Sequence, residues 1–157
     1  MSNTIEEQLI QLNQIYKENE DIYHELATHF GLSDSALWLL YSLHEATVPY
    51  TQAEICSTWS ISKQTLHSAL KGLKTGGYIQ MESSVQNRKT KQIILTPTGK
   101  ALVHKTVGRI VEAEKQALCG LSEDDRMLLV SLSQRHLECL KQEMKQITES
   151  KMSSEDL

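Results

Sequence analysis

The run KQTLHSALKGLKT, residues 63–75, framed by Ser62 and by Gly76-Gly77, constrains this chain more than any other stretch. Leu66, Leu70 and Leu73 fall at spacings of 4 and 3, which places them on one buried stripe of a helix. The remaining side carries Lys63, Gln64, Thr65, His67, Ser68, Lys71 and Lys74. Ser62 is the predicted N-cap, and glycine just past the last turn is the usual stop.

Two further signals fix what surrounds that helix. Upstream, Thr51 and Glu54 form a capping box for a short helix whose apolar side is Ala53, Ile55 and Cys56. Trp59-Ser60-Ile61 then turns the chain. Downstream, Tyr78, Ile79 and Met81 read as a strand and Gln92-Ile93-Ile94-Leu95 as a second, with Asn87-Arg88-Lys89-Thr90-Lys91 at the tip between them. Helix, turn, helix and basic hairpin is the order of a winged helix-turn-helix. In that arrangement the second helix enters the major groove, where polar side chains reach base edges, and the hairpin tip reaches adjacent backbone or minor groove.

The charge pattern agrees with this order although the chain as a whole is acidic, with a formal net charge of -4. Residues 62–92 hold six basic residues (Lys63, Lys71, Lys74, Arg88, Lys89, Lys91) and one acid, Glu82. Residues 1–30 hold six acids and one lysine, and residues 121–157 hold eight acids and five bases. Either basic cluster alone reads as a solvated lysine face. Their coincidence with the helix and the hairpin points to nucleic acid.

The flanks are helical. Ser2-Asn3-Thr4 offers N-caps for a helix to about residue 30, in which Ile5, Leu9, Leu12, Tyr16, Tyr23 and Leu26 make a heptad-like seam interrupted at Asn19. The same seam suits an intramolecular core face or a partner helix. Gly31 stops it, and Ser33 caps a second helix to about Glu45, with Leu37, Leu40 and Tyr41 inward. Residues 46–49 connect to Tyr50, the expected start of a short strand that completes the sheet. Thr96 and Pro97 begin one long helix to about Cys119, with Ala101, Leu102, Val107, Ile110, Val111 and Leu118 as its apolar set. Ser122 caps the last helix, followed by Glu123, Asp124 and Asp125, and Leu137, Leu140, Met144 and Ile147 give a second seam. The terminal KMSSEDL is expected to fray.

The run TQAEICSTWSISKQTLHSALKGLKTGGYI, followed by NRKTKQIILTPTGKAL, resembles the MarR family of bacterial transcriptional regulators. The matching features are the capped short helix, the ISKQT start of the next one, the helix-ending glycine before an apolar strand, and LTPTGK after the wing. The likeness is sharpest over about fifty residues. It implies a homodimer on a pseudopalindromic operator in double-stranded DNA. Asn87 and Lys89, with Arg88 between, stand where members commonly carry Asp-x-Arg, and Ser68 and Gly72 stand where many have arginine. The resemblance also implies a small aromatic effector, for which Tyr16, Tyr23, Trp38, Tyr41 and His44 are candidate lining residues. Aromatics at helical spacing are more often core.

The expected fold is mainly α with a small β-wing: a winged helix-turn-helix with N- and C-terminal dimerisation helices. Within one domain of residues 1–157, the DNA-binding lobe is residues 33–97 and the helical dimerisation region is residues 1–30 and 98–150. Ser62, Lys63, Gln64, Thr65, His67 and Ser68 are candidates for the major groove, Lys71 and Lys74 for phosphates, and Arg88, Lys89 and Lys91 for the wing contact. Cys56, Cys119 and Cys139 lack paired spacing and are read as structural, since none has the exposed cationic setting of a sensing thiol. The histidines lack ligand spacing, so no metal or cofactor is expected. No phosphate loop, nucleophile elbow or carboxylate pair suggests an enzyme. No apolar run reaches membrane-spanning length and no leader pattern opens the chain, so a cytoplasmic protein is expected. The rival readings are a winged helix that docks proteins and a regulator switched through cysteine or histidine.

Overall fold

The computed structural model describes residues 4–46, 49–59, 61–83 and 91–149. Among these, the chain runs α1 (Ile5–His29), α2 (Asp34–Glu45), β1 (Tyr50–Thr51), α3 (Gln52–Trp59), α4 (Lys63–Thr75), β2 (Ile79–Ser83), β3 (Lys91–Leu95), α5 (Pro97–Lys105), α6 (Val107–Cys119) and α7 (Glu123–Glu149). It divides into two compact units, one through Val111 and one from Glu112.

The first unit is built around α2, which buries Ala36, Leu37, Leu39, Leu40, Ser42 and Leu43. Leucines on several sides of one helix require neighbours on several sides, and α1, α3, α4, α5 and β3 all pack against it. Ile55 of α3, Leu66, Leu70 and Leu73 of α4, Ile79 and Ile93 of the sheet, and Val103, Val107 and Ile110 complete the core. The sheet is antiparallel with order β1-β3-β2, and its register pairs Tyr50 with Ile93 and Met81 with Ile93.

Helix ends follow the sequence signals. The Thr4 hydroxyl accepts from the Glu7 amide at 3.2 Å and Glu7 Oε2 accepts from the Thr4 amide at 2.9 Å, a complete capping box. Ser33, Ser62, Thr96 and Ser122 accept from the amides of Ala36, Thr65, Gly99 and Asp125. The α4 terminus is a Schellman motif: the Gly77 amide donates to Lys74 O at 3.0 Å and the Tyr78 amide to Leu73 O at 2.9 Å. Gly77 there has φ 72°, a backbone region costly for any residue with a Cβ.

Three expectations need correction. The helix after the wing is broken: Thr106, at φ -117° and ψ -89°, separates α5 from α6. The buried Thr106 hydroxyl donates to Leu102 O at 2.8 Å, the same carbonyl that its own amide uses, while Thr106 O accepts from the Arg109 and Ile110 amides to start α6. Apolar spacing through Val103, Val107 and Ile110 continues across the break, so periodicity concealed it. Tyr78 lies outside β2, because its amide closes the α4 cap instead. Lys91 is the first residue of β3, opposite Ser83, and not part of the tip. The tip residues 87–90, Thr47-Val48, Ser60 and the terminal KMSSEDL lie outside the described residues.

The second unit is dominated by α7, 27 residues long with none buried in the single chain. Leu128, Leu132, Leu137, Leu140, Met144 and Ile147 are all exposed.

Gly99 joins the wing to α5 by close approach: a Cβ there would sit 1.8 Å from Tyr78 O. Backbone cannot yield as a side-chain end can. Gly99→Ala is therefore expected to destabilise the fold by about 1–3 kcal/mol or more, read as a lowered midpoint in urea; an unchanged midpoint would contradict this packing.

Candidate nucleic-acid interface

The burial of Leu66, Ala69, Leu70 and Leu73 fixes the roll of α4 on the core. At about 100° per residue, Gln64, Ser68, Lys71 and Thr75 then point directly away from the core. Lys63, His67 and Lys74 form one shoulder of the exposed face, and Thr65 and Gly72 form the other. All nine of these residues are exposed, and α4 contains no acidic residue.

The candidate residues divide by what their side chains already do. Ser62 Oγ accepts from the Thr65 amide at 3.1 Å and lies 2.8 Å from Thr65 Oγ1, so this pair secures the start of the helix. Ser68 Oγ donates to Gln64 O at 3.2 Å, which commits its hydrogen and leaves it an acceptor. The long exposed groups are Gln64, His67 and the three lysines, and of the wing residues Lys91 is exposed at the start of β3, opposite Ser83. Arg88 and Lys89 lie outside the described residues.

Helix α3 supports α4 from one side. Glu54 Oε2 accepts from the Thr51 amide at 2.7 Å and the Glu54 amide donates to Thr51 Oγ1 at 3.3 Å. The backbone hydrogen bond from Thr51, followed by the Thr51 side-chain bond, holds the Glu54 carboxyl below its ordinary value. A groove of about 530 Å³ between α3 and α4 runs past Cys56, Lys63 and His67. A second, of about 630 Å³, separates the Thr65, Ser68 and Gly72 side of α4 from Ser33 and Ser35 at the start of α2.

The candidate effector residues are only partly gathered. Tyr23 lies 4.8 Å from Trp38, and Trp38 lies 5.7 Å from Tyr41, measured between ring centroids. Trp59 joins them: it stacks on Trp38 at 4.7 Å, meets Tyr41 edge-on at 6.0 Å, and its Nε1–H donates to Ser42 Oγ. Sequence reading treated Trp59 as a turn residue, since nothing in its spacing ties it to residues on α2. Tyr16 and His44 are exposed. Beside Tyr23 and Trp38, a cavity of about 360 Å³ is edged by Lys17, Asp21, His24 and Asp34, with His24 Nδ1 3.0 Å from Asp34 Oδ1. Cys56 is half-buried against the core, and Cys119 and Cys139 are exposed in the single chain. No helix among the described residues is long and apolar enough to cross a membrane.

A helix-turn-helix lobe closed by a three-stranded antiparallel sheet is a winged helix, and that class follows from the coordinates alone. Residues 30–89 match the MarR family, and the winged-helix fold of the chain is that of solved MarR family regulators. Solved structures of similar fold include NMB1585, a MarR family regulator from Neisseria meningitidis, at 22% identity over 90% of this chain and 99% of that one, with a TM-score of 0.72. The MepR–DNA complex from S. aureus matches at 20% identity over 88% and 99% of the two chains, TM-score 0.68. BpsR from Bordetella bronchiseptica, whose DNA binding is regulated by 6-hydroxynicotinic acid, matches at 18% identity over 87% and 97%, TM-score 0.63.

The lowered Glu54 value makes the start of α3 sensitive to acid. Its contribution is complete above the ordinary carboxyl value of 4.5 and is lost as the pH falls through the lowered one. Glu54→Ala is thus expected to melt below wild type at neutral pH, with the gap closing in acid. A gap that stays constant with pH would exclude the ionised capping box as its cause.

Proposed function

We propose that this chain is a sequence-specific DNA-binding transcriptional regulator that works as a homodimer on a pseudopalindromic operator. The observation that carries the reading is the exposed face of α4, polar and cationic with no acid, standing opposite a fully buried leucine stripe. Gln64, His67 and the acceptor side of Ser68 contact base edges, with Lys63 beside them. Lys71 and Lys74 contact phosphates, and Arg88, Lys89 and Lys91 contact the flanking backbone or minor groove. Phosphate contacts position the protein and base contacts specify the site. The DNA complex of MepR, a protein of the same fold, supports this use of the lobe.

The homodimer is supported by unspent apolar surface in each unit. In α1, Ile5, Leu9, Ile15 and Ile22 are more than half exposed, and α7 buries nothing in the single chain. Helices so apolar and so exposed need a partner. A second copy supplies it and also holds two recognition helices about 34 Å apart, the spacing of successive half-sites. Regulation by a small aromatic effector is the natural extension, because Tyr23, Trp38, Tyr41 and Trp59 link α1 to the helices carrying α4. Regulation of BpsR by 6-hydroxynicotinic acid supports that class of ligand. An effector acts by shifting the population between operator-competent and incompetent forms.

Fluorescence anisotropy on duplexes selected by the protein from a random pool tests the reading. Selected DNA is expected to bind tighter than scrambled DNA, with log K falling about 0.9 per phosphate contact against log salt. Gln64→Ala should relax sequence preference by about 1–3 kcal/mol, whereas Lys71→Ala with Lys74→Ala should weaken all duplexes alike and flatten the salt slope. Equal binding to selected and scrambled DNA would reject specific recognition. Light scattering that gives a monomer at micromolar concentration would reject the homodimer.

A further inference from the structure

Among the described residues two polar side chains are buried, Ser42 and Thr106. The Thr106 hydroxyl is used within its own stretch of helix, on Leu102 O at 2.8 Å. That of Ser42 also makes a local bond, donating to Trp38 O at 3.0 Å one turn back on α2. With its proton committed there, Ser42 Oγ still presents a lone pair. The Trp59 Nε1–H donates to it from the last turn of α3, so this hydroxyl joins two helices.

The same two helices meet a second time one turn away. The Trp59 ring stacks on that of Trp38 at 4.7 Å, with 24° between the planes. A stack alone leaves a ring able to slide and turn in its own plane, because apolar and dispersion contacts have little direction. A hydrogen bond to a fixed acceptor removes that freedom, since it weakens steeply once misaligned. Trp59 is therefore held to α2 at two points, by its face and by its edge. Residues 60–62 alone separate it from Lys63, where α4 begins. The leucine stripe sets the roll of α4 but supplies no directional bond. Of the residues proposed to read DNA, Gln64, His67 and Ser68 lie in the half of α4 nearer this joint, and Lys71 and Lys74 in the far half.

We propose that Ser42 is a positioning residue: through its bond to the Trp59 indole it fixes the turn before α4, and with it the register in which Gln64, His67 and Ser68 meet base edges. This rests on the DNA-reading role proposed above. Ser42 acts from the core and through Trp59. Without the bond the turn gains freedom, and the near half of α4 moves most. Base contacts need donor and acceptor aligned, so they suffer before the phosphate contacts of long, flexible lysines do.

The test compares the full chain as wild type, Ser42→Ala, Trp59→Phe and the double variant. Ser42→Ala removes the acceptor; Trp59→Phe removes the donor, keeps a ring for the stack, and carries the test should Ser42→Ala fail to fold. Affinity for duplexes selected by wild type from a random pool is divided by affinity for a scrambled duplex, at a temperature where melts show each variant folded. Each single variant is expected to lose about fivefold or more of that ratio, with the double variant losing no more than the larger single loss. Trp38 and Trp59 are the two tryptophans of the chain, so Ser42→Ala is also expected to alter the exciton couplet of this stacked pair in circular dichroism. An unchanged ratio in the folded single variants, or losses that multiply in the double variant, would overturn the positioning role and leave the DNA-reading role standing. An unchanged couplet in Ser42→Ala would overturn it as well, since the ring would then be held without Ser42. Wild type that enriches no sequence from the pool would overturn the DNA-reading role and this inference together.

Discussion

The burial of α2 is the constraint on which the rest of the first unit depends. Leu37, Leu39 and Leu40 are fully buried although they occupy different sides of the helix. A helix apolar on several sides is stable only when enclosed, so it recruits α1, α3, α4, α5 and β3 around itself. The leucine stripe of α4 is one wall of that enclosure. Rolling α4 to present different residues to solvent would expose Leu66, Leu70 or Leu73, each worth about 1.5–3 kcal/mol when buried. The reading face is therefore specified by the core and not by the residues on it. Its long polar residues, Gln64, His67 and the lysines, can therefore vary without disturbing the core.

Much of this was legible because local rules and packing agree. Capping residues at Thr4, Ser33, Thr51, Ser62, Thr96 and Ser122 start their helices where their hydrogen-bonding capacity predicts, and Gly77 closes α4 where only positive φ permits the turn. Tyr50 enters the sheet beside β3 as its position before the capping box suggests. What stayed hidden lacked a periodic signature. Thr106 breaks a helix through a side-chain bond to a carbonyl, while the apolar pattern runs on undisturbed. Trp59 reaches Trp38 and Ser42 through the fold, across a separation of 17 residues for the hydrogen bond, and no spacing rule connects them. Among the proposed reading residues, the sequence named Ser62 both as the N-cap and as a major-groove candidate. The structure keeps the capping role, with Ser62 Oγ accepting from the Thr65 amide, and adds that Ser68 Oγ donates to Gln64 O, which no spacing rule indicates.

The aromatic group gives α1 a mechanical connection to α4. Tyr23 belongs to α1, Trp38 and Tyr41 to α2, and Trp59 to the last turn of α3, four residues before α4 begins. Flat rings in contact at 4.7–6.0 Å resist independent movement, and the Trp59–Ser42 hydrogen bond fixes one of them azimuthally. A displacement of α1 that disturbs Tyr23 therefore acts on the turn that orients the reading helix. Coupling of this kind requires an element with two discrete arrangements, and the close packing of the rings means that a shift at one of them is passed to its neighbours rather than absorbed.

Charge distribution explains how an acidic chain suits this task. The net charge of -4 repels a polyanion at long range, while Lys63, Lys71 and Lys74 on the exposed side of α4 attract it locally. Random encounters in the wrong orientation are thus disfavoured, and non-specific residence on DNA, which is almost wholly electrostatic, stays weak. Short-range base contacts then carry a larger share of the binding free energy than they would in a uniformly basic protein. On the function proposed above, that share is what an effector would have to remove to release an operator. A regulator held to DNA mainly by phosphate contacts would remain bound after its helices lost register; one held by the orientation of a single helix lets go when that orientation shifts.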